Sequence, residues 1–160
     1  MSTHDDRAAF MRRAIELSRY SMESGAGGPF GAVVVRNGQI VGEGHNQVTP
    51  NNDPTAHAEV VAIRDACRRL GTFDLSDCEL YTSCEPCPMC LGATYWARIR
   101  RMYYACTQDD AEAVGFDDAF IYREIDLPHA QRKLPTIQLL RDEGWGVLQD
   151  WEHLPHKVEY

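Results

Sequence analysis

The chain has 160 residues, 44% hydrophobic and 25% charged, and its formal net charge at pH 7 is −8. This composition provides for one buried core, and no apolar run approaches the roughly 18 residues that span a membrane. A strongly acidic chain repels a phosphate backbone, so we expect no binding to nucleic acid. The length and the lack of a long apolar run favour a single cytoplasmic domain over residues 1–160 that does not bind membranes.

The N-terminal third predicts one helix followed by a β-hairpin. Apolar residues recur at helical spacing over 5–23, and the glycines of 25–28 end that pattern. A valine-rich strand is predicted over 30–36 and a second strand over 39–44. Asn37 and Gly38 between them form a strong two-residue turn signal, so the two strands are expected to pair antiparallel.

The middle third predicts alternating helices and strands. A polar loop is expected over 46–53, with Pro54 in the first turn of a helix that Asp53 or Thr55 caps and Gly71 ends. The apolar stripe of that helix is Val60, Ile63, Cys67 and Leu70.

A strand over 78–82, a helix over 86–97 and a strand over 101–106 follow. This alternation implies a parallel portion of sheet, and we therefore predict a three-layer α/β/α sandwich with a mixed central sheet. Beyond residue 107 the signal is weaker and supports only short helices over 111–114 and 143–153.

Two short motifs carry the chemistry. His57 precedes Glu59 by two residues, and Cys87 and Cys90 stand one helical turn apart in a Pro-Cys-Pro-Met-Cys segment. One imidazole and two thiolates suit Zn²⁺ and leave a fourth position for water, which is typical of catalytic zinc. The pairing of H-x-E with P-C-x-x-C is the established signature of zinc nucleobase deaminases. We expect one Zn²⁺ per chain, with Glu59 as the proton-transferring carboxylate.

A closed structural site is the alternative interpretation of the same residues. Cys84 lies close to the motif and could complete a Cys₃His tetrahedron, in which case the chain would be a zinc-stabilised binding module without catalytic activity. Glu59 favours the catalytic interpretation because a structural site does not need it. The remaining cysteines, Cys67, Cys78 and Cys106, are expected to be packing residues.

Beyond these motifs, the chain resembles the cytidine deaminase-like superfamily, and more narrowly the bacterial guanine deaminases. The resemblance covers nearly the whole chain and weakens between residues 132 and 155. The segment Phe116-Asp117-Asp118 and the ending Glu159-Tyr160 point to guanine. The stretches that carry the match are 28–32, 52–59, 81–90, 95–98 and 115–118.

The resemblance implies roles for further residues. Asn46 would hydrogen-bond the purine, the backbone N–H of Ala58 would contact it, and Phe30 would stack on it. Asp118 would face the leaving amino group, as a second catalytic residue. Tyr160 would help to close the pocket. Trp96 is counted with the substrate-binding residues as a pocket wall, and a core position is its alternative.

The activity implied by the resemblance is hydrolysis of guanine to xanthine and ammonia. Members of the family form homodimers, in some cases with the C-terminal segment exchanged, which here would begin at about residue 128. Guanosine or tRNA adenosine deamination by the same fold is the competing function, and the net charge of −8 argues against a tRNA substrate.

Overall fold

The computed structural model describes residues 4–160, without the side chains of the first two of these. The chain divides into two compact units, Met1–Tyr122 and Arg123–Tyr160. The single-domain organisation over 1–160 stays a prediction, and its first three residues lie outside the described part. Among the helices of the described residues, none is long and apolar enough to cross a bilayer.

The first unit is built around a four-stranded sheet with the strand order β2-β1-β3-β4. Strand β1 pairs antiparallel with both β2 and β3, and β3 pairs parallel with β4. The predicted hairpin, the parallel pair and the mixed sheet are confirmed. In chain order, the elements are α1 (His4–Glu23), β1 (Gly31–Arg36), β2 (Gln39–His45), α2 (Val48–Asn51), α3 (Ala58–Leu70), β3 (Cys78–Cys84), α4 (Pro88–Trp96), β4 (Arg101–Cys106), α5 (Gln108–Ala113) and α6 (Asp118–Asp126).

Helices cover both faces of the sheet, which confirms the three-layer architecture. Side chains alternate between the faces of a strand, so Leu80 of β3 packs in a cluster with α3 whereas its neighbour Tyr81 packs in a cluster with α1. Every residue of β3 is buried. The middle strand therefore lies between two apolar layers, and its carboxyl end leads into the cysteine motif.

Helix α3 lies unusually close to strand β2. Its buried face consists of Ala58, Ala62 and Ala66 at a spacing of four residues, together with Glu59. A Cβ added to Gly44 would lie 2.3 Å from the backbone oxygen of Ala58, and one added to Gly42 would lie 2.6 Å from that of Ala62. The close contact between helix and strand is made by the small residues alanine and glycine. The apolar stripe expected from the sequence is only partly buried, at the edge of the core.

Several predicted boundaries are wrong by a few residues. Helix α3 begins at Ala58 instead of at Pro54, because Asp53 accepts the backbone N–H and the hydroxyl of Thr55 in a local turn and does not cap the helix. Helix α4 begins at Pro88, which occupies its first turn, and not at Pro86. One helical turn, α2, replaces part of the expected loop.

The second unit contains the end of α6, a short 3₁₀ helix (His129–Gln131) and helix α7 (Arg141–Glu152). None of its residues is classed as buried. Large apolar side chains are exposed along it, including Leu134 at 74%, Ile137 at 85% and Leu139 at 82%. This unit therefore carries large apolar side chains at its surface.

Candidate active site

Two helix N-termini bring the candidate metal ligands together. His57 is the N-cap residue of α3 and Cys87 is the N-cap residue of α4, both with extended backbone angles and neither with a side-chain capping hydrogen bond. Cys90 follows in the first turn of α4 and is fully buried. Each cap side chain is therefore available for another partner, at the helix end that favours negative charge.

The spacing of these ligand atoms fits Zn²⁺. The Nδ1 atom of His57 lies 3.6 Å from Sγ of Cys87 and 3.5 Å from Sγ of Cys90. A tetrahedral ion with Zn–S of about 2.3 Å and Zn–N of about 2.0 Å requires a nitrogen-to-sulfur distance of about 3.5 Å. The donor atoms of all three residues lie within 4.8 Å of one another. Their number and chemistry match a catalytic zinc site, which has three protein ligands.

Cys84 does not belong to this cluster. Among the described residues, the group of potential metal ligands here contains His57, Cys87 and Cys90. The Cys84 thiol instead donates to the backbone oxygen of Thr107 at 3.6 Å, and burial raises its pKa to about 12. Because the Cys84 thiol lies outside the ligand cluster and bonds to a backbone carbonyl, this geometry gives no support to a closed Cys₃His site.

The thiol pKa values of the two cysteine ligands shift in opposite directions. A hydrogen bond from Cys90, assisted by His57, lowers the pKa of Cys87 to about 4. The same interaction with Cys87 raises the pKa of Cys90, and burial adds to that shift. The site thus holds one thiolate readily, and a divalent cation provides the positive charge that a second thiolate needs.

Glu59 lies beside the cluster and is only 6% exposed. Its Oε1 atom accepts a hydrogen bond from the Thr82 hydroxyl at 3.0 Å. Burial raises the pKa of Glu59 above the value usual for glutamate. A buried carboxyl with a raised pKa next to a metal site is suited to accept and return a proton near neutral pH.

A cavity of about 260 Å³ opens at this point. Three carboxylates face it, those of Glu59, Glu85 and Asp118, and apolar contact comes from Phe30 and Phe116. The residues that line the cavity are Gly28, Phe30, Asn46, Val48, Thr49, His57, Glu59, Cys84, Glu85, Cys87, Phe116 and Asp118.

The geometry fixes the orientation of Asn46. This residue is 8% exposed, and its side-chain oxygen accepts the backbone N–H of Val48 at 3.1 Å. Its backbone oxygen accepts the Ser21 hydroxyl. With its oxygens engaged, the Nδ2 group is the donor that Asn46 offers to a ligand.

Phe30 and Phe116 form one aromatic wall. Their rings meet edge to face with centroids 4.8 Å apart. Asp118, two residues after Phe116, is the first residue of α6 and half-buried. Burial and the nearby Cys87 sulfur raise the pKa of Asp118. The two aromatic rings and the Asp118 carboxyl therefore line the same cavity.

Two residues expected at the site do not line the cavity, and a third lies in the second unit. Ala58 is fully buried between two lining residues but does not itself line the cavity. Trp96 is not among the residues that line the cavity: its side chain is 68% exposed, because Thr94 and Ala97 form the buried side of this end of the helix, and its role at the pocket stays a prediction. Tyr160 is 69% exposed and belongs to the second unit.

Sequence reasoning missed several lining residues. Val48 and Thr49 stand on α2, which was expected to be irregular loop. Phe116 was quoted for its motif but given no role. Glu85 accepts the backbone N–H of Gln108 at 3.0 Å and so joins the cysteine loop to α5. Its position in the middle of the Cys-Glu-Pro-Cys segment is the signal that could have identified it.

Comparison with known proteins agrees with this site. Residues 4–106 match the family described as the cytidine and deoxycytidylate deaminase zinc-binding region. A guanine deaminase from Bacillus subtilis (strain 168) is 54% identical over 151 residues, which cover 94% of this chain and 97% of that relative. A tRNA-specific adenosine deaminase from Aquifex aeolicus is 43% identical over 96 residues, 60% of this chain and 63% of the relative.

Solved structures extend the match to nearly the full chain. The X-ray structure of guanine deaminase from Bacillus subtilis has a TM-score of 0.93 at 52% identity and covers 99% of both chains. Another structure, in complex with 2,6-diaminopurine, has a TM-score of 0.67 at 34% identity and covers 96% of this chain and 85% of its own. The chain therefore belongs to the cytidine and deoxycytidylate deaminase zinc-binding family, and within it to the guanine deaminases.

Proposed function

We propose that this protein hydrolyses guanine to xanthine and ammonia. The observation that carries the proposal is the placement of a buried carboxyl, Glu59, beside three zinc-compatible ligands, two of which line the same cavity of about 260 Å³ as Glu59. His57, Cys87 and Cys90 would hold the ion, which supplies an activated water at neutral pH. The relatives named above support guanine as the substrate.

The cavity provides complementary groups for a purine base. Phe30 offers an aromatic face for stacking, and the Nδ2 group of Asn46 offers a donor to a ring nitrogen or carbonyl oxygen. The carboxylates of Glu85 and Asp118 suit a ligand rich in N–H groups and repel phosphate. A neutral base fits this arrangement better than a nucleotide or an RNA strand.

The proton balance assigns the chemical work to Glu59. Water adds through its oxygen to the carbon that bears the exocyclic amine, and Glu59 accepts the proton that the water loses. Glu59 delivers this proton to the adjacent ring nitrogen. The hydroxyl proton of the adduct, again through Glu59, then converts the departing amine to ammonia. Asp118 faces the amino group and accepts a hydrogen bond from it throughout.

Glu59→Gln tests this assignment. Zinc content should stay at one ion per chain, because Glu59 is not among the clustered ligands, while ammonia release from guanine should fall by about 10²-fold or more. Assays with guanosine, adenosine, cytosine and a tRNA anticodon stem-loop serve as comparisons. Near-normal turnover of the variant would reject the role of Glu59, and reaction of a nucleoside but not of guanine would reject the substrate.

We propose further that the protein acts in the cytoplasm as a homodimer in which the C-terminal segment, from about residue 128, is exchanged between subunits. The exposed apolar side chains of the second unit support this, because such surface is normally buried in an interface. Trp96 and Tyr160, both largely exposed in one chain, would then complete a pocket in the assembly. All six cysteines are free, as expected in a reducing compartment.

The assembly is tested by the mass of the purified chain in solution. Light scattering should give twice the mass of one chain, and charged substitutions at Ile137 and Leu139, which are 85% and 82% exposed, should shift the mass toward that of the monomer. A wild-type protein that stays monomeric at assay concentrations would contradict the dimer.

A further inference from the structure

A hydroxyl group in the middle of the sheet has no role in the chemistry described so far. Thr82 lies in β3 and is 1% exposed. It follows Cys78 and Leu80 at alternate positions on the face that packs against α3, and both of those residues belong to the apolar cluster of that face. A valine side chain has the same shape and would fill this space equally well. The buried hydroxyl of Thr82, unlike a methyl group, needs a hydrogen-bond partner to offset its desolvation.

The partner is the carboxyl of Glu59. The Thr82 hydroxyl lies 3.0 Å from Glu59 Oε1 and, on its other side, 3.0 Å from the backbone oxygen of Cys84. A hydroxyl can donate its one proton and accept another at the same time. Thr82 can therefore donate to Glu59, or accept from it while donating to the Cys84 carbonyl. The hydroxyl stays paired in either arrangement.

Hydrogen bonds orient the Glu59 carboxyl, and the one from Thr82 adds to those from Cys90 and from the backbone N–H of Glu59 itself. Glu59 is the second residue of α3, and a glutamate side chain has three rotatable bonds that the helix backbone does not fix. Transfer of a proton between water and a ring nitrogen requires the carboxyl to be held within about 0.5 Å of its working position. The rigid, wholly buried strand β3 offers a fixed point for this purpose.

We propose that Thr82 is a positioning residue that holds the Glu59 carboxyl for proton transfer. This inference rests on the proposed function. It adds to the metal ligands and the carboxyl a residue that belongs neither to the ligand cluster nor to the lining of the cavity. The role resides in the hydroxyl and not in the shape of the side chain.

The test compares three single substitutions in the full-length, zinc-loaded protein. Thr82→Val removes the hydroxyl and preserves the shape, whereas Thr82→Ser preserves the hydroxyl. Thr94→Val is the matched control, because Thr94 is also buried, at 7% exposed, and its hydroxyl bonds to the backbone oxygen of Cys90 at 2.8 Å, within its own helix. Zinc per chain, thermal midpoint, kcat and KM for guanine are measured for each.

We expect Thr82→Val to lower kcat by about 10- to 100-fold, the effect of losing one hydrogen bond to a charged group, with KM changed less than about threefold. Thr82→Ser should recover most of that loss, and Thr94→Val should keep kcat within about threefold of wild type. Zinc content should be unchanged in all three. Equal kcat for Thr82→Val and Thr94→Val, or a Thr82→Ser variant as slow as Thr82→Val, would overturn the inference.

A second readout does not depend on turnover. Unfolding free energies of Thr82→Val, Glu59→Gln and the double variant form a cycle, and direct contact predicts that the two single effects do not add. Additive effects would overturn the contact itself. If the cycle shows coupling but wild-type protein releases no ammonia from guanine, the proposed function fails while the contact stands.

Discussion

Replacement of Gly44 by alanine tests whether the close packing of α3 on β2 positions the catalytic groups. The added Cβ would lie 2.3 Å from the backbone oxygen of Ala58 and 2.5 Å from the backbone nitrogen of Ala62. Ordinary contact begins at about 3.4 Å, so the first turn of α3 must move by about 1 Å. His57 and Glu59 flank Ala58 in that turn and move with it.

The expected cost has two parts. Overpacking of this kind destabilises a protein by about 1–3 kcal/mol. A displacement of about 1 Å at a catalytic group costs on the order of 10²-fold in rate, which corresponds to about 2.7 kcal/mol of transition-state stabilisation. We therefore expect kcat/KM for ammonia release from guanine to fall about 10²-fold in Gly44→Ala, with a weaker hold on zinc in competition with a chelator.

Gly42→Ala is the matched comparison. Its Cβ would lie 2.6 Å from the backbone oxygen of Ala62 and 2.7 Å from Ala66, one turn further from the metal ligands. It should lower the thermal midpoint by a similar amount but reduce kcat/KM much less. Equal loss of kcat/KM in both variants, or wild-type kcat/KM in Gly44→Ala, would refute the argument that this contact sets the site.

Other consequences of the structure can be measured directly. Arg13 donates two hydrogen bonds to Glu43, of 2.8 and 2.9 Å, and these lower the pKa of the Glu43 carboxyl in the folded protein. The pair therefore stabilises the fold fully above the unfolded pKa of about 4.3. This stabilisation is lost as the pH falls through the lower pKa of the folded state. Because both side chains are partly exposed, the difference in unfolding free energy between wild type and Glu43→Gln should stay below about 1 kcal/mol at pH 7 and vanish in acid; a constant difference would contradict it. A Cβ added to Gly92 of α4 would have no neighbouring atom within 4 Å. Gly92→Ala should therefore raise the free energy of unfolding in chemical denaturation by about 0.5–1 kcal/mol, and a lower free energy of unfolding would contradict this. Removal of zinc by a chelator should lower the thermal midpoint and abolish ammonia release, both restored by added Zn²⁺, and activity that survives complete removal would exclude a metal-dependent reaction.

The first 106 residues could be interpreted well from sequence because each signal there has a strong local cause. Asn37 and Gly38 both adopt positive φ, 51° and 74°, as a tight hairpin requires, and Gly71 ends α3 in the left-handed conformation. The metal ligands were recognisable because their chemistry restricts both residue type and spacing. Two of them, His57 and Cys87, also stand at the starts of helices. For Cys87, the neighbouring prolines indicate this position, because proline is common in the first turn of a helix.

The remaining features depend on contacts that are distant in sequence or on weak capping signals. Helix α6 was not predicted, although Asp117 accepts the backbone N–H of Phe120 as a capping residue does. Pro50 and its polar neighbours likewise concealed α2. The link between Thr82 and Glu59 spans 23 residues and two elements, so no local pattern reveals it.

His57 and Cys87 as N-cap residues have one further consequence for the molecule. An ordinary capping side chain bonds the amides of its own helix, whereas neither His57 nor Cys87 makes a side-chain capping hydrogen bond and both would ligate the same ion. Fraying of the two helices is thereby coupled, and amide hydrogen exchange in both first turns should accelerate together when the ion departs. A bound cation would thus link two segments that are far apart in the chain, and its removal is expected to destabilise these two helix ends before the rest of the molecule.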